Sequence, residues 1–351
     1  MSTDIFFMKH CLNLAEKGLG NVAPNPMVGC VVVRDGKIIG EGYHEKYGEA
    51  HAEVNAIRSV KNQELLKEST LYVTLEPCAH HGKTPPCSDL IIEKQIPKVV
   101  VGTIDPFAEV AGRGIKKMQK AGIEVEVGIL ENECRELNKR FFTFHRKHRP
   151  FIILKWAQTQ DGFIDIDRKA ENFGEPTWIT GPAALLRVHQ MRAAENAIMV
   201  GTNTAEKDNP ALTVRYCKGK NPLRIVIDRD LRLSRELKLF NSESETIVIN
   251  SLRNEQKENI GFTRVDFSQN ILPQILDILY QKEKLSLIVE GGRTLLQSFI
   301  DQGFWDEAYV YTGAKVFKSG IMSPKLMGNS FFREMIDEDI LDIYKNPDQG
   351  S

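Results

Sequence analysis

A histidine and a glutamate two residues apart, His51 and Glu53, are followed by Pro77-Cys78 and then by Cys87, and this set constrains the chain more than any other feature. One imidazole and two thiolates suit Zn2+. A site with three protein ligands keeps the fourth tetrahedral position open, which marks a catalytic zinc rather than a structural one. Any fold must therefore bring three separated points of the chain to a single ion. Glu53 is then the carboxylate that stays off the metal and carries protons to and from an activated water. A structural zinc knot would take a fourth ligand from His80 or His81, but it gives no part to a glutamate two residues after the histidine.

Local patterning places these residues. Val54, Ala56, Ile57 and Val60 recur with a helical period, so His51 and Glu53 open a helix over about 52–61. The run 70–75 reads as a strand that ends just before Cys78. Cys87 follows two prolines and precedes Leu90-Ile91-Ile92, the start of a helix over 88–95. Before these come a helix over 4–17 and a hairpin, 27–33 and 37–43, turning at Asp35-Gly36. After them strands at 98–104 and 123–128 alternate with a helix at 113–121, which argues an α/β sandwich whose sheet is parallel after the hairpin. A helix over 131–140 and a basic stretch, Arg146 to Arg149, read as the end of a first domain (1–147) and a solvated linker.

The second domain, 148–351, alternates again. Strands are expected at 151–154, 197–201, 223–228, 246–250, 285–290, 308–312 and 340–344, with helices at 181–194, 271–280 and 294–300. Glu290 is followed by Gly291-Gly292-Arg293-Thr294 between a strand and a helix, where glycines admit close backbone approach and the helix start supplies amides for a pyrophosphate. This is not the glycine pattern of a Rossmann fold.

Charge is balanced, with 46 basic and 47 acidic residues, so no electrostatic footprint for nucleic acid exists. Neither a leader-like start nor an apolar run of membrane length is seen, and Cys11, Cys30, Cys134 and Cys217 have no framework spacing, so a cytoplasmic protein without a membrane partner is expected.

The whole chain resembles the bifunctional deaminase/reductases of bacterial riboflavin biosynthesis. In the first half the resemblance rests on Pro24-Asn25-Pro26-Met27-Val28-Gly29-Cys30, Gly42-Tyr43-His44, His51-Ala52-Glu53-Val54, Thr74-Leu75-Glu76-Pro77-Cys78, His81 to Cys87, Asp105-Pro106 and Val110 to Gly114. In the second half it rests on Thr177 to Thr180, Arg192-Ala193, Pro210 to Arg215 and Val289 to Gly292. The long gap between Cys78 and Cys87 is distinctive, because deaminases of cytosine or tRNA adenine place far fewer residues there.

The resemblance implies a cytidine-deaminase-like α/β/α sandwich followed by a dihydrofolate-reductase-like α/β domain. It implies Zn2+ and NADPH as cofactors, a pyrimidine ribosyl phosphate as the small-molecule partner, and a homo-oligomer. The substrate would be 2,5-diamino-6-ribosylamino-4(3H)-pyrimidinone 5′-phosphate, deaminated by the first domain and reduced from ribosyl to ribityl by the second. By the same resemblance Asn25, His44, Lys83 and Asp105 contact the deaminase substrate; Lys155, Trp178, Thr204 and Asp208 lie near the nicotinamide cofactor; and Arg192, Leu212, Arg215 and Glu290 surround the reductase substrate. Arg192 and Arg215 suit a ribose phosphate, Lys83 a phosphate charge, and Arg229 and Arg253 are candidates for a 2′-phosphate.

Four departures stand out: Phe107 where the family has Asn, Pro176 two residues before Trp178, Asp208-Asn209-Pro210 in place of Asp-Asp-Pro, and Gly313 to Lys318 after Thr312. They leave two alternatives, an active deaminase carrying a degenerate, structural reductase domain and a different zinc nucleobase deaminase.

Overall fold

The computed structural model describes residues 3–79, 85–107 and 111–347. The chain divides into two compact units, Met1–His148 and Arg149–Ser351.

The first unit begins with helix α1 (Thr3–Glu16), hairpin strands β1 (Gly29–Arg34) and β2 (Lys37–Tyr43), and α2 (Ala52–Ser59). Then β3 (Thr70–Leu75), α3 (Cys87–Glu93), β4 (Lys98–Thr103), α4 (Arg113–Lys120), β5 (Glu124–Val127), α5 (Glu131–Leu137) and α6 (Lys139–Lys147) follow. The sheet order is β2-β1-β3-β4-β5; β3, β4 and β5 are parallel, while β1 runs antiparallel to β3. One face buries Cys30, Val32, Val73 and Val101 with Ala56 and Ile57 of α2; the other buries Val31, Tyr72 and Val100 under Phe7, Met8 and Cys11 of α1. Alternation of side chains across the strands supplies both faces, which makes the sandwich.

Two expectations needed correction. The single helix over 131–140 is two, because Asn138 leaves helical geometry and its side chain takes both the N–H and the C=O of Met27 at 2.8 Å. That pair of bonds fixes the loop carrying Asn25. The basic stretch is not a solvated linker either. Arg146 and Lys147 form the last turn of α6, where cations favour the helix dipole, and His148 closes the helix at φ 52°. Arg149 is buried, its guanidinium held by Asp306 at 2.6 and 2.9 Å.

The second unit holds β6 (Phe151–Thr159), β7 (Phe163–Asp165), α7 (Pro182–Ala194), β8 (Ala197–Gly201), α8 (Thr202–Asp208), β9 (Leu223–Ile227), β10 (Thr246–Asn250), β11 (Glu255–Lys257) and β12 (Ile260–Arg264). It continues with α9 (Ile271–Gln281), β13 (Ser286–Glu290), α10 (Arg293–Asp301), β14 (Glu307–Gly313), β15 (Ile321–Met322), β16 (Phe332–Ile336) and β17 (Asp339–Lys345). Its main sheet runs β11-β12-β10-β9-β8-β13-β6-β14-β17-β16 and is parallel from β12 through β14. The chain winds from β6 outward through β8, β9 and β10, then returns to insert β13 between β8 and β6. Winding reverses there, and the carboxyl ends at such a reversal are where open α/β sheets bind ligands.

Candidate functional sites

In the first unit His51 caps α2, Cys78 lies beyond the end of β3, and Cys87 is the first residue of α3. His51 Nδ1 stands 3.6 Å from Cys78 Sγ and 3.3 Å from Cys87 Sγ, and the three atoms lie within 4.8 Å of one another. A tetrahedral zinc with ordinary Zn–N and Zn–S bonds has an N···S edge of about 3.6 Å, so the triangle fits the ion. It is the one such cluster among the described residues; His80 and His81 lie outside them. Cys78 is drawn down to about 4, first by the hydrogen bond from the Cys87 thiol and also by His51, while that same bond pushes Cys87 up. The backbone N–H of Cys87 donates to Cys78 Sγ at 3.3 Å, a further preparation for negative sulfur.

Glu53, buried in the first turn of α2, is pushed up to about 7, chiefly by desolvation. Asn25 and His44 join the same place. Asn25 Nδ2 donates to His44 Nε2 at 3.1 Å and His44 Nδ1 donates to the Ala50 carbonyl at 3.0 Å, so the ring is neutral with a fixed tautomer. The His44 ring meets that of His51 edge-on at 5.4 Å. Asp105, also buried, is pushed up to about 7 by desolvation and accepts the Phe107 N–H at 2.8 Å. Lys83 lies outside the described residues.

Glu76, unrecognised as a site residue in the sequence, organises the far wall. Its buried carboxylate accepts the N–H groups of Gly112 and Gly114 at 2.9 Å and those of Asp105 and Ile115 at 3.4 Å. It thus satisfies the start of α4 and ties down the Asp105 turn at once. A Cβ at Gly114 would lie 2.1 Å from the Pro77 carbonyl, so only glycine lets α4 approach the Cys78 turn. A carboxylate directly before Pro77-Cys78 at a strand's carboxyl end was the available signal.

In the second unit the expected substrate residues meet at the winding reversal. Glu290 of β13 lies in register with Lys155 of β6 and accepts from Arg192 Nη2 at 3.0 Å. Arg192 Nη1 also reaches the Thr213 carbonyl at 3.5 Å, and the Arg215 N–H donates to His189 Nδ1 at 3.1 Å. Lys155 is lowered by burial; burial alone would raise Glu290, but Arg192 and Lys155 hold it low. Leu212, left-handed at φ 55°, is buried in the hydrophobic cluster beneath Val200 and Val226. Three buried polar atoms here have no partner among the described residues: His189 Nε2, Arg192 Nε and Glu290 Oε1.

Beside them Thr204 Oγ1 accepts the Gly292 N–H at 2.9 Å. Gly291 has φ 117°, and a Cβ there would come within 2.7 Å of that hydroxyl. Arg293 and Thr294 open α10 with exposed side chains. At the carboxyl ends of β9, β10 and β12 lies a cavity of about 540 Å3 lined by Arg229, Ser251, Arg264 and Ser268 among others.

Two further expected cofactor residues, Asp208 and Trp178, bond within the protein. Asp208 is ion-paired with Arg168, which also grips Asp165 at 2.8 Å and the carbonyls of Glu175 and Lys207 at 2.7 and 3.0 Å. Trp178 is exposed, and its carbonyl accepts from Lys315 at 2.6 Å. Two of the departures acquire local reasons. Asn209 closes α8 in the left-handed region at φ 43°, which Asn tolerates well, and accepts the Lys238 N–H at 2.8 Å. Lys315 is the residue that holds Trp178's backbone.

Comparison with known proteins agrees with both halves. Residues 1–103 match the cytidine and deoxycytidylate deaminase zinc-binding region, and residues 150–334 match the RibD C-terminal domain. The riboflavin biosynthesis protein RibD of Aquifex aeolicus is 44% identical over 320 residues, covering 90% of this chain and 88% of its own. The chain belongs to the RibD family. Its Escherichia coli member is 36% identical over 93% of this chain and 89% of its own. A solved diaminohydroxyphosphoribosylaminopyrimidine deaminase/5-amino-6-(5-phosphoribosylamino)uracil reductase from Thermotoga maritima is 40% identical and superposes with a TM-score of 0.88, covering 98% of this chain and 99% of that one.

As a RibD-family enzyme the protein is a bifunctional deaminase and reductase of riboflavin biosynthesis that uses zinc and NADPH and acts on a small molecule. The alternatives of a different nucleobase deaminase and of a degenerate reductase half give way to this reading. Among the described residues no helix is long and apolar enough to cross a membrane.

Proposed function

We propose that the first unit deaminates 2,5-diamino-6-ribosylamino-4(3H)-pyrimidinone 5′-phosphate and that the second reduces the ribosyl group of the product to ribityl. The observation that carries the first half is the His51, Cys78 and Cys87 triangle with Glu53 buried beside it. These three residues would hold zinc, which when bound supplies the Lewis acidity that makes water a nucleophile near neutral pH. Glu53 would take the proton from the attacking water and deliver it to the ring nitrogen, then take the remaining hydroxyl proton of the tetrahedral adduct and deliver it to the amino group, which departs as ammonia. A carboxyl at about 7 is matched to both directions of transfer. Asn25 donates one N–H to His44, so its carbonyl oxygen remains for the amino edge of the pyrimidine. Asp105 would contact the sugar, and Lys83 the phosphate.

In the second unit Arg192, Arg215 and Glu290, with Leu212 beneath, would receive the phosphorylated sugar, Lys155 beside Glu290 would lie toward the nicotinamide, and Gly291, Gly292, Arg293, Thr294 and Thr204 would seat the cofactor's pyrophosphate. NADPH when bound supplies the reducing equivalent. From Gly292 the carboxyl ends of β8, β9 and β10 lead to the cavity at Arg229, whose guanidinium suits a 2′-phosphate. Asp208 acts indirectly in this reading, by fixing Arg168 and the segment that leads to Trp178. The protein would work in the cytoplasm as a homo-oligomer.

Glu53→Gln tests the first half. It should retain zinc, seen by metal analysis, while deamination falls by about 10^2 to 10^4; near-parent turnover contradicts the assignment. Arg229→Ala tests the cofactor seat. KM for NADPH should rise about tenfold while KM for NADH stays unchanged; equal effects on both would contradict a 2′-phosphate there.

A further inference from the structure

The reductase cluster holds one group to which no role has been given. His189 sits on α7 one turn before Arg192, fully buried. Its Nδ1 accepts the backbone N–H of Arg215 at 3.1 Å, so the neutral ring must carry its proton on Nε2. The ring is braced by Tyr216, edge-on at 4.7 Å and 89°. His189 Nε2 is therefore a buried, oriented donor without a partner among the described residues, and the neighbouring Arg192 Nε is a second. Leaving such a donor unpaired is destabilising, and the fold tolerates it where a ligand supplies the missing acceptor.

We propose that His189 is a substrate-binding residue of the reductase site, its Nε2–H donating to a phosphate oxygen of the phosphorylated ribosyl chain. The set of unpartnered atoms matches that ligand in sign. Two of them, His189 Nε2 and Arg192 Nε, are donors suited to an anion, and one, Glu290 Oε1, is an acceptor suited to a sugar hydroxyl. Arg215 is tied in because its backbone sets the tautomer while its guanidinium adds charge. Burial and the charges of Arg192 and Arg215 keep the ring unprotonated, lowered to about 4, so the donor is present without a proton having to bind. The proposal rests on Arg192, Arg215 and Glu290 forming the reductase substrate site.

Two substitutions in the full-length zinc enzyme separate binding from a merely structural part. His189→Asn keeps an acceptor near the Nδ1 position for the Arg215 amide but is too short to reach the phosphate; His189→Gln reaches it. Reductase kinetics and inhibition by ribose 5-phosphate are measured at saturating NADPH. For Asn, KM and the inhibition constant should rise about tenfold with kcat changed less than threefold, and Gln should restore both to within threefold. A structural role predicts the reverse order, Asn tolerated and Gln damaged, and would overturn the proposal, as would unchanged constants in both.

Arg192→Gln is run in parallel. If it too leaves KM and ribose 5-phosphate inhibition unchanged, the site itself is misplaced; if it weakens both while the His189 variants do not, only His189's role falls. The parent protein gives a check that needs no variant to fold. With 15N-labelled histidine, ribose 5-phosphate should slow exchange of one ring N–H on an Nε2, and a spectrum with no protected ring proton would contradict the proposal.

Discussion

At the scale of single residues, both halves of the enzyme hold titratable groups away from their ordinary values for a reason visible in their surroundings. Glu53 rises because it is buried, and His189 falls because it is buried beside Arg192 and Arg215. The second shift has a consequence for stability. Between about 4 and the ordinary 6.5 the unfolded chain binds a proton that the folded ring refuses. The stability this contributes is complete above pH 6.5 and is lost as the pH falls toward 4. His189→Gln cannot titrate, so its unfolding midpoint should fall less steeply than the parent's through that window; parallel profiles would show that the ring is not held neutral. The zinc ligands and Glu53 were legible in the sequence because metal chemistry restricts residue type and spacing together. His189 was not, since a histidine in an amphipathic helix shows nothing until the fold reveals which of its nitrogens is already satisfied.

At the scale of elements, site geometry depends on side chains that bond main chain. Asn138 secures the Asn25 loop through Met27, and Glu76 secures the Asp105 turn and the start of α4. Glu76→Ala should lower the stability of the first unit by about 3 kcal/mol through several lost charge-assisted bonds. It should also raise the deaminase KM by loosening the Asp105 turn. A lowered unfolding midpoint with unchanged KM would show that the turn holds its place without Glu76. Periodicity located most strands and helices to within a residue or two, because β3, β8, β10 and β13 have apolar centres and are buried at nearly every position. The elements it did not find have the opposite character. β11 is wholly exposed, β16 is an edge strand facing solvent at most positions, and α8 buries only Ala205. Without a buried face there is no period to read. The break at Asn138 escaped for another reason, as it depends on a tertiary partner 111 residues away.

At the scale of the molecule, each unit sets its chemistry at the carboxyl ends of parallel strands, β3 and β4 in the first and β13, β8 and β9 in the second. Strand ends there leave backbone groups free and admit insertions without disturbing the core, so two unrelated reactions are carried by two related layer designs. Two of the departures from the family pattern, Asn209 at the end of α8 and Lys315 after β14, form bonds of their own. They leave the Glu290, Arg192 and Lys155 cluster assembled, which is why both activities are expected from one chain. The most direct test incubates the full-length, zinc-loaded protein with the diaminopyrimidinone ribosyl phosphate, with and without NADPH, and follows the products by mass. Loss of ammonia in both samples, followed by a gain of two hydrogens only with NADPH, is the predicted result. Deamination that stops at the ribosyl product with NADPH present, or no deamination at all, would contradict it.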